Sequence, residues 1–394
     1  MSSYPHGSNL LLENARVVLP DRVMEAGSVV VQAGLIASVT NGPGEAPGNK
    51  IDLSGLLLLP GFIDVHIHGA VGIDTMDASA EQLCEVGDFL ATQGVTSWLP
   101  TLVPATREQF SRAGGEIAKS MKQGERSGAR VLGVHYEGPF VNAAQCGALH
   151  KEHFRSYSGL NDLDCLVAPE QMVRMITLAP EIEGGVALVR ELKKRGWVIS
   201  IGHTRATQEV LEQAFAAGAR HLTHFMNAMA PLHHRAPGPA GWGLLRDEVT
   251  FDLIADGIHL DPQMLRLLMK IKGPKYISLI SDSIAAAGKG DGEYSIWGET
   301  ISVENGRTAN AAGSIAGSVI TMLDAVRLMH SLGASHVELA QMASANPARL
   351  LGLYDTCGSI ETGKRADLVA VDQNWNVKLA IVGGAILRVS AAPW

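Results

Sequence analysis

The chain has 394 residues, 46% of them hydrophobic, with 43 glycines and a formal net charge of -8. That is enough for one large barrel with a small accessory domain, or for two or three ordinary domains, and it excludes a disordered chain. The acidic balance argues against nucleic acid as a partner, which calls for a basic patch, but one or two local cations would suffice to hold a phosphorylated substrate.

Residues 1–20 contain no basic segment followed by a long apolar run, so no secretory signal is expected. The apolar run Leu56-Leu57-Leu58-Leu59-Pro60 is too short to span a bilayer, so no membrane association is expected. Cys84, Cys146, Cys165 and Cys357 are scattered without a CxxC pair and read as reduced thiols of a cytoplasmic protein. From Asn9 to Asp52 short β-type runs alternate with Asn, Asp and Gly: Leu10-Leu11-Leu12, Ala15-Arg16-Val17-Val18-Leu19, Ser28-Val29-Val30-Val31 and Leu35-Ile36-Ala37-Ser38-Val39. The middle alternates apolar strands with helix-sized stretches. Strands are expected at 61–65, 95–98, 131–136, 173–178, 198–201, 221–224, 250–254 and 276–280, with helices at 80–93, 107–123, 185–194 and 207–217 among them. After Gly363-Lys364-Arg365 the pattern returns to strands, at 366–372 and 377–382.

Eight βα repeats predict an α/β fold, a (β/α)8 TIM barrel over 59–354, with a small β-sandwich domain built from both termini, 1–58 and 355–394. A doubly wound sheet is the competing architecture, but no GxGxxG follows the first strand.

The ends of these strands carry the chemistry. Strand one ends in Asp64-Val65-His66-Ile67-His68, strand three in His135-Tyr136-Glu137, strand five in Gly202-His203-Thr204, strand six in Thr223-His224 and strand eight in Ser281-Asp282-Ser283. Active sites of such barrels lie at that face. Imidazole and carboxylate together bind a zinc-like cation, and three protein ligands leave a position for water. The period of two in His66-Ile67-His68 turns both rings to one side. Asp282 can serve as ligand, helix cap or general base; a hydrolase with a metal-bound water needs a proton carrier, which favours the base. By the same parity rule His221, three residues before His224, should face the helix shell.

The run Pro60-Gly61-Phe62-Ile63-Asp64-Val65-His66-Ile67-His68-Gly69 resembles the first-strand signature of the amidohydrolase superfamily. Further segments make the chain similar to the N-acetylglucosamine-6-phosphate deacetylases: His135-Tyr136-Glu137-Gly138-Pro139-Phe140, Thr223-His224-Phe225-Met226-Asn227-Ala228-Met229, Ala255-Asp256-Gly257-Ile258-His259, Ala316-Gly317-Ser318 and Asn346-Pro347-Ala348. The resemblance implies Glu137, His203 and His224 as principal metal ligands, His66 and His68 as the pair that holds a second metal in some members, and Asp282 as catalytic acid/base. It implies substrate contacts from Ala148, Asn227, Ala228, Arg235, His259, Ile315, Ala316 and Gly317. One or two divalent cations per subunit follow, zinc first, with iron, cobalt or manganese as alternatives. It also implies a homodimer in which Arg235 reaches the neighbouring active site.

One stretch departs from the family pattern. Relatives commonly read Gly-Ala-His where this chain has Gly147-Ala148-Leu149-His150, so Leu149 stands at the histidine unless a one-residue shift lets His150 make the contact. An apolar residue there would weaken discrimination for phosphate. The implied reaction is hydrolysis of the acetamide of N-acetylglucosamine 6-phosphate. The rivals are a deacetylase for the galacto isomer or an unphosphorylated amino sugar, and a non-catalytic barrel that serves as a binding protein. Gly288-Lys289-Gly290-Asp291-Gly292 lacks the spacing of a phosphate loop and reads as a flexible turn or hairpin.

Overall fold

The computed structural model of the protein describes residues 9–45, 48–122, 128–169 and 171–388. Eight strand positions form a parallel barrel: Phe62–Ile67, Val95–Leu102, Arg130–Val131 with Gly133–Glu137, Val173–Leu178, Val198–Ile201, His221–Leu222, Thr250–Ile254 and Ile277–Ile280. Each pairs with its neighbour in chain order, as βα units with right-handed crossovers require. The seam between the eighth strand and the first closes through their ends. The Asp282 amide donates to the His66 carbonyl (2.9 Å), the His68 amide to the Ser283 carbonyl (2.7 Å), and the Ser281 hydroxyl to Asp64 (2.5 Å). Burial pushes the Asp64 carboxyl up to about 6, and its bonds to Ser281 and the His66 amide pull the other way.

Helices form where apolar residues recur every three or four positions behind a good cap. In Ala80–Thr92, Leu83, Val86 and Leu90 face the barrel, and Ser79 accepts from the Gln82 amide while the Gln82 side chain reaches back. Thr207 caps Gln208–Ala217 by accepting from the Val210 amide, so the expected helix starts one residue later. The second helix is Arg107–Lys122; Gln123, its expected last residue, lies outside the described residues. Inside the barrel, Ile63, Val65, Leu99, Met175, Ile254 and Ile280 pack with Ala348 and Leu351 from the C-terminal helical segment, which stoppers the end opposite the strand C-termini. The barrel is thus a filled core, open only at one mouth.

Both ends of the chain build one sheet, in the order 385–388, 377–382, 368–371, 57–60, 10–18, 23–32 and 35–41, with 49–52 pairing beside 10–18. The leucine run explains how it docks. Leu58 enters the sheet's own core with Leu10, Val17, Leu368 and Ile381, while Leu57 and Leu59 point into the barrel core. A strand buried on both faces reads as an unbroken apolar run. The two strands expected over residues 10–19 are one, Leu10–Val18, kinked at Asn14, whose φ of 62° accompanies a register shift between Leu12 and Ala15. After the eighth strand comes a three-stranded antiparallel unit, Gly292–Ile296, Glu299–Glu304 and Arg307–Ala309. No helix of the described residues is long and apolar enough to cross a membrane.

Candidate metal centre

Five histidine and carboxylate-bearing strand ends converge at the barrel mouth. Two groups of donor atoms form there, His66, His68 and Asp282 in one and Glu137, His203 and His224 in the other, every member buried. In the second, the Glu137 Oε1 lies 2.9 Å from the Nε2 atoms of both His203 and His224, which are 3.2 Å apart. In the first, the His66 and His68 Nε2 atoms are 3.2 Å apart and each lies 3.3 Å from Asp282 Oδ1. Glu137 bridges the two, its Oε2 being 3.3 Å from His68.

The spacing fits divalent cations. A tetrahedron with metal–ligand bonds of about 2.0–2.1 Å has edges of roughly 3.3 Å, the separation seen here between ring nitrogens. The His203 Nδ1 donates to the Gln145 carbonyl (2.8 Å), which fixes the ring with its Nε2 directed at Glu137 and the centre of the group. Two buried imidazole nitrogens that face each other can share one hydrogen at most; a cation satisfies both.

The electrostatics follow from this crowding. Burial works against ionisation of Glu137, but the His66, His203 and His224 rings hold it well below the usual carboxylate range. Asp282 is likewise pushed up by burial and held below its ordinary value by His66 and His68. His135 does not join the cluster. Burial drives its pKa well down, and as a neutral ring it spans the Val65 carbonyl (3.0 Å) and the Thr177 hydroxyl (2.8 Å), edge-on beneath His66.

Several of these residues leave the strand in a left-handed backbone conformation: His203 at φ 47°, His224 at 30°, Ala228 at 48° and Asp282 at 50°. Such conformations cost on the order of 1–3 kcal/mol each and persist where neighbours overdetermine them. At His224 the restraint is visible. Its amide donates to Asp252 Oδ1, the next amide, of Phe225, donates to the Asp252 carbonyl (2.9 Å), and Asp252 Oδ2 meets His221 Nε2 at 3.0 Å. His221 therefore does not face the helix shell. The ladder stops at Leu222, which packs outward with Phe251, and His221 lies on the inner side against Thr250 and Asp252. Parity counting fails because the chain turns between His221 and His224. Asp252, fully buried on the inner side of the seventh strand, is the residue that sequence reasoning missed; its one signal is a carboxylate inside the apolar run Phe251-Asp252-Leu253-Ile254.

Around the two groups lies a cavity of about 320 Å³, lined by His68, Glu137, His203, His224 and Asp282, and by Ala148, Asn227, Ala228, His259, Ile315 and Gly317. His259 is oriented by Asp256, 2.7 Å from its Nδ1. Ala316 is buried behind the wall, in the apolar cluster of the antiparallel unit. Leu149 lines the cavity, and so does Trp297, which was not anticipated. His150 does not line it; its ring turns to Glu152 (3.2 Å) and Glu299 (3.9 Å). Arg235 is exposed on a loop outside this cavity, its guanidinium 3.0 Å from His234.

Comparison with known proteins places this geometry in context. The sequence profile of the Amidohydrolase family matches residues 57–387. The chain is 38% identical to the N-acetylglucosamine-6-phosphate deacetylase of Bacillus subtilis (strain 168), covering 97% of this chain and 98% of that one. It is 35% identical to the N-acetylgalactosamine-6-phosphate deacetylase of Escherichia coli O157:H7, over 95% of this chain and 98% of the relative. Among solved structures, a point mutant of the N-acetyl-D-glucosamine-6-phosphate deacetylase of Mycobacterium smegmatis, in complex with N-acetyl-D-glucosamine 6-phosphate, superposes with a TM-score of 0.88 at 31% identity, over 96% of this chain and 99% of that one.

Proposed function

This chain belongs to the amidohydrolase family, and on that premise we propose that it hydrolyses the acetamide of N-acetylglucosamine 6-phosphate to acetate and glucosamine 6-phosphate. The observation that carries the reading is the pair of adjoining groups at the open mouth of the barrel, Asp282 with His66 and His68 and Glu137 with His203 and His224, whose nitrogens and oxygens stand about one coordination edge apart.

Glu137, His203 and His224 would hold one divalent cation, and His66 and His68 would help to hold a second, which leaves Asp282 to carry the proton. Their imidazole and carboxylate donors suit zinc, with iron, cobalt and manganese as alternatives. When bound, such a cation lowers the pKa of a water toward roughly 7 and polarises the amide carbonyl. The protein's own groups do the rest. Asp282, ionised beside His66 and His68, accepts a proton from the attacking water as the new C–O bond forms. It then returns that proton to the amide nitrogen as the C–N bond breaks, because the amine cannot depart as an anion. His259, fixed by Asp256, and Asn227 offer polar contacts to the sugar, with Ala148, Ala228, Ile315 and Gly317 as walls. Arg235 would meet the phosphate from the neighbouring subunit of a homodimer, which accords with its exposed position outside its own cavity.

Asp282→Asn tests the assignment. It should keep the metal content of the native protein and lose at least about 100-fold in turnover, the lower end for a general base; an active Asp282→Asn protein overturns it. A second reading, hydrolysis of the galacto isomer, is favoured by Leu149 in the cavity wall and by the Escherichia coli relative. Rates for the gluco and galacto 6-phosphates and the unphosphorylated sugar decide between them.

A further inference from the structure

The antiparallel unit after the eighth barrel strand ends in an unusual turn. Ile296 pairs directly with Glu299, so the hairpin loop is Trp297-Gly298, with φ values of 54° and 79°. Two successive positive φ values mark a type I′ turn, which favours Asn and Gly. A bulky residue at the first position is a strained choice, and strain of this kind gathers at ligand sites. Here the ring does not project into solvent. It packs between the barrel core and the small apolar cluster of the hairpin, lines the cavity, and meets the His68 ring edge-on, centroids 5.2 Å apart at 81°. The neighbouring Glu299 reaches toward His150, so the hairpin tip and the loop that supplies Ala148 and Leu149 lie side by side over the site.

We propose that Trp297 is an acyl-specificity residue: its indole is the wall against which the methyl of the acetyl group rests, and it sets the length of acyl chain that the site hydrolyses. The inference rests on the deacetylase reading above. The reacting carbonyl carbon has to lie within reach of Asp282, which is 3.3 Å from His68, the ring that Trp297 touches. Of its two substituents, the nitrogen leads to the sugar and its polar contacts at Asn227 and His259. The methyl group points away from them and needs apolar surface close to the histidines, which Trp297 provides. A rigid ring backed by two apolar clusters gives way little to a longer chain.

The test compares N-acetyl, N-propionyl and N-butyryl glucosamine 6-phosphate on the metal-loaded protein. Native kcat/KM should fall by about 10-fold or more per added methylene. Trp297→Ala should raise the butyryl-to-acetyl ratio at least about 10-fold, with Trp297→Phe between the two and metal per subunit unchanged. Should the alanine protein fail to fold, Trp297→Leu carries the same comparison. An equal fall for all three substrates, with the ratio unmoved, overturns the proposal. A native protein inactive on all three acyl groups contradicts the deacetylase reading itself, whereas an active one whose ratio ignores Trp297 contradicts only this inference.

Discussion

Asp252→Ala should unseat His224 while leaving every side chain that lines the cavity chemically unchanged. The Asp252 carboxylate is fully buried and bonds the His224 amide through one oxygen and the His221 ring through the other. Its removal leaves two buried donors without partners, each costing about 1–3 kcal/mol. It also releases a residue held at φ 30°, whose strain of order 1–3 kcal/mol then favours relaxation out of place. The expected loss of stability is about 2–5 kcal/mol, set by the two unpartnered donors and partly offset by the released strain. Because the proposed cation site takes a nitrogen from His224, metal affinity should also fall, by roughly 10- to 100-fold as for other groups that orient ligands. Competition against a chromophoric chelator reads the affinity, and denaturant titration of the metal-free protein reads the stability. Asp252→Asn keeps an acceptor for the His224 amide and should lose less on both counts. Native affinity and native stability in Asp252→Ala would refute the idea that this carboxylate positions the ligand.

Metal uptake should depend steeply on pH. In the metal-free protein burial opposes protonation of His68 and His224, but Asp282 and Glu137 beside the first, and Glu137 beside the second, outweigh it and raise them to about 10 and about 9. These values lie above the ordinary 6.5, so the protonated cluster stabilises the metal-free fold below about pH 6.5, and that contribution is lost as pH rises through 9 to 10. A cation needs bare nitrogens, so binding at neutral pH must expel protons and tighten as pH rises. Calorimetry in two buffers of different ionisation enthalpy measures the release; binding without proton release contradicts it. Arg235→Ala should raise KM for the phosphorylated sugar by roughly 10- to 100-fold, the equivalent of about 1.5–3 kcal/mol for a bond to a charged group. Mixed with Asp282→Asn under conditions that exchange subunits, it should recover activity, since one site of the hybrid receives an intact Arg235 and retains Asp282. No recovery in a proven hybrid argues that the arginine serves its own subunit.

The strand positions and the residues of the candidate site were largely legible in the sequence because both obey local rules. The bounds 173–178, 198–201 and 250–254 agree with the structure to the residue, since apolar runs between turn signals mark buried parallel strands. His66, His68, Glu137, His203, His224 and Asp282 were visible as polar residues at strand ends, and the structure gathers them into two adjoining groups at the barrel mouth. What stayed hidden depends on where the backbone turns. His221 was assigned the wrong side because the ladder ends before His224. Asn14 looked like a break between two strands because a bulge and a turn share the same residue preferences. Trp297 carried no signal, since a tryptophan in a hairpin loop declares nothing about the direction of its ring until the loop is folded back over the barrel. Counting along the loop without a gap puts Leu149 at the inward position, where it is found, and the one-residue shift that would have brought His150 to the site does not occur.

The central claim is amide hydrolysis at this cluster, and the most direct measurement is product stoichiometry. Metal-loaded protein given N-acetylglucosamine 6-phosphate should release acetate and a primary amine in equal amounts, at a rate abolished by chelation and restored by added divalent cation. No acetate from this substrate, its galacto isomer or the unphosphorylated sugar, with metal shown to be bound, would contradict the account.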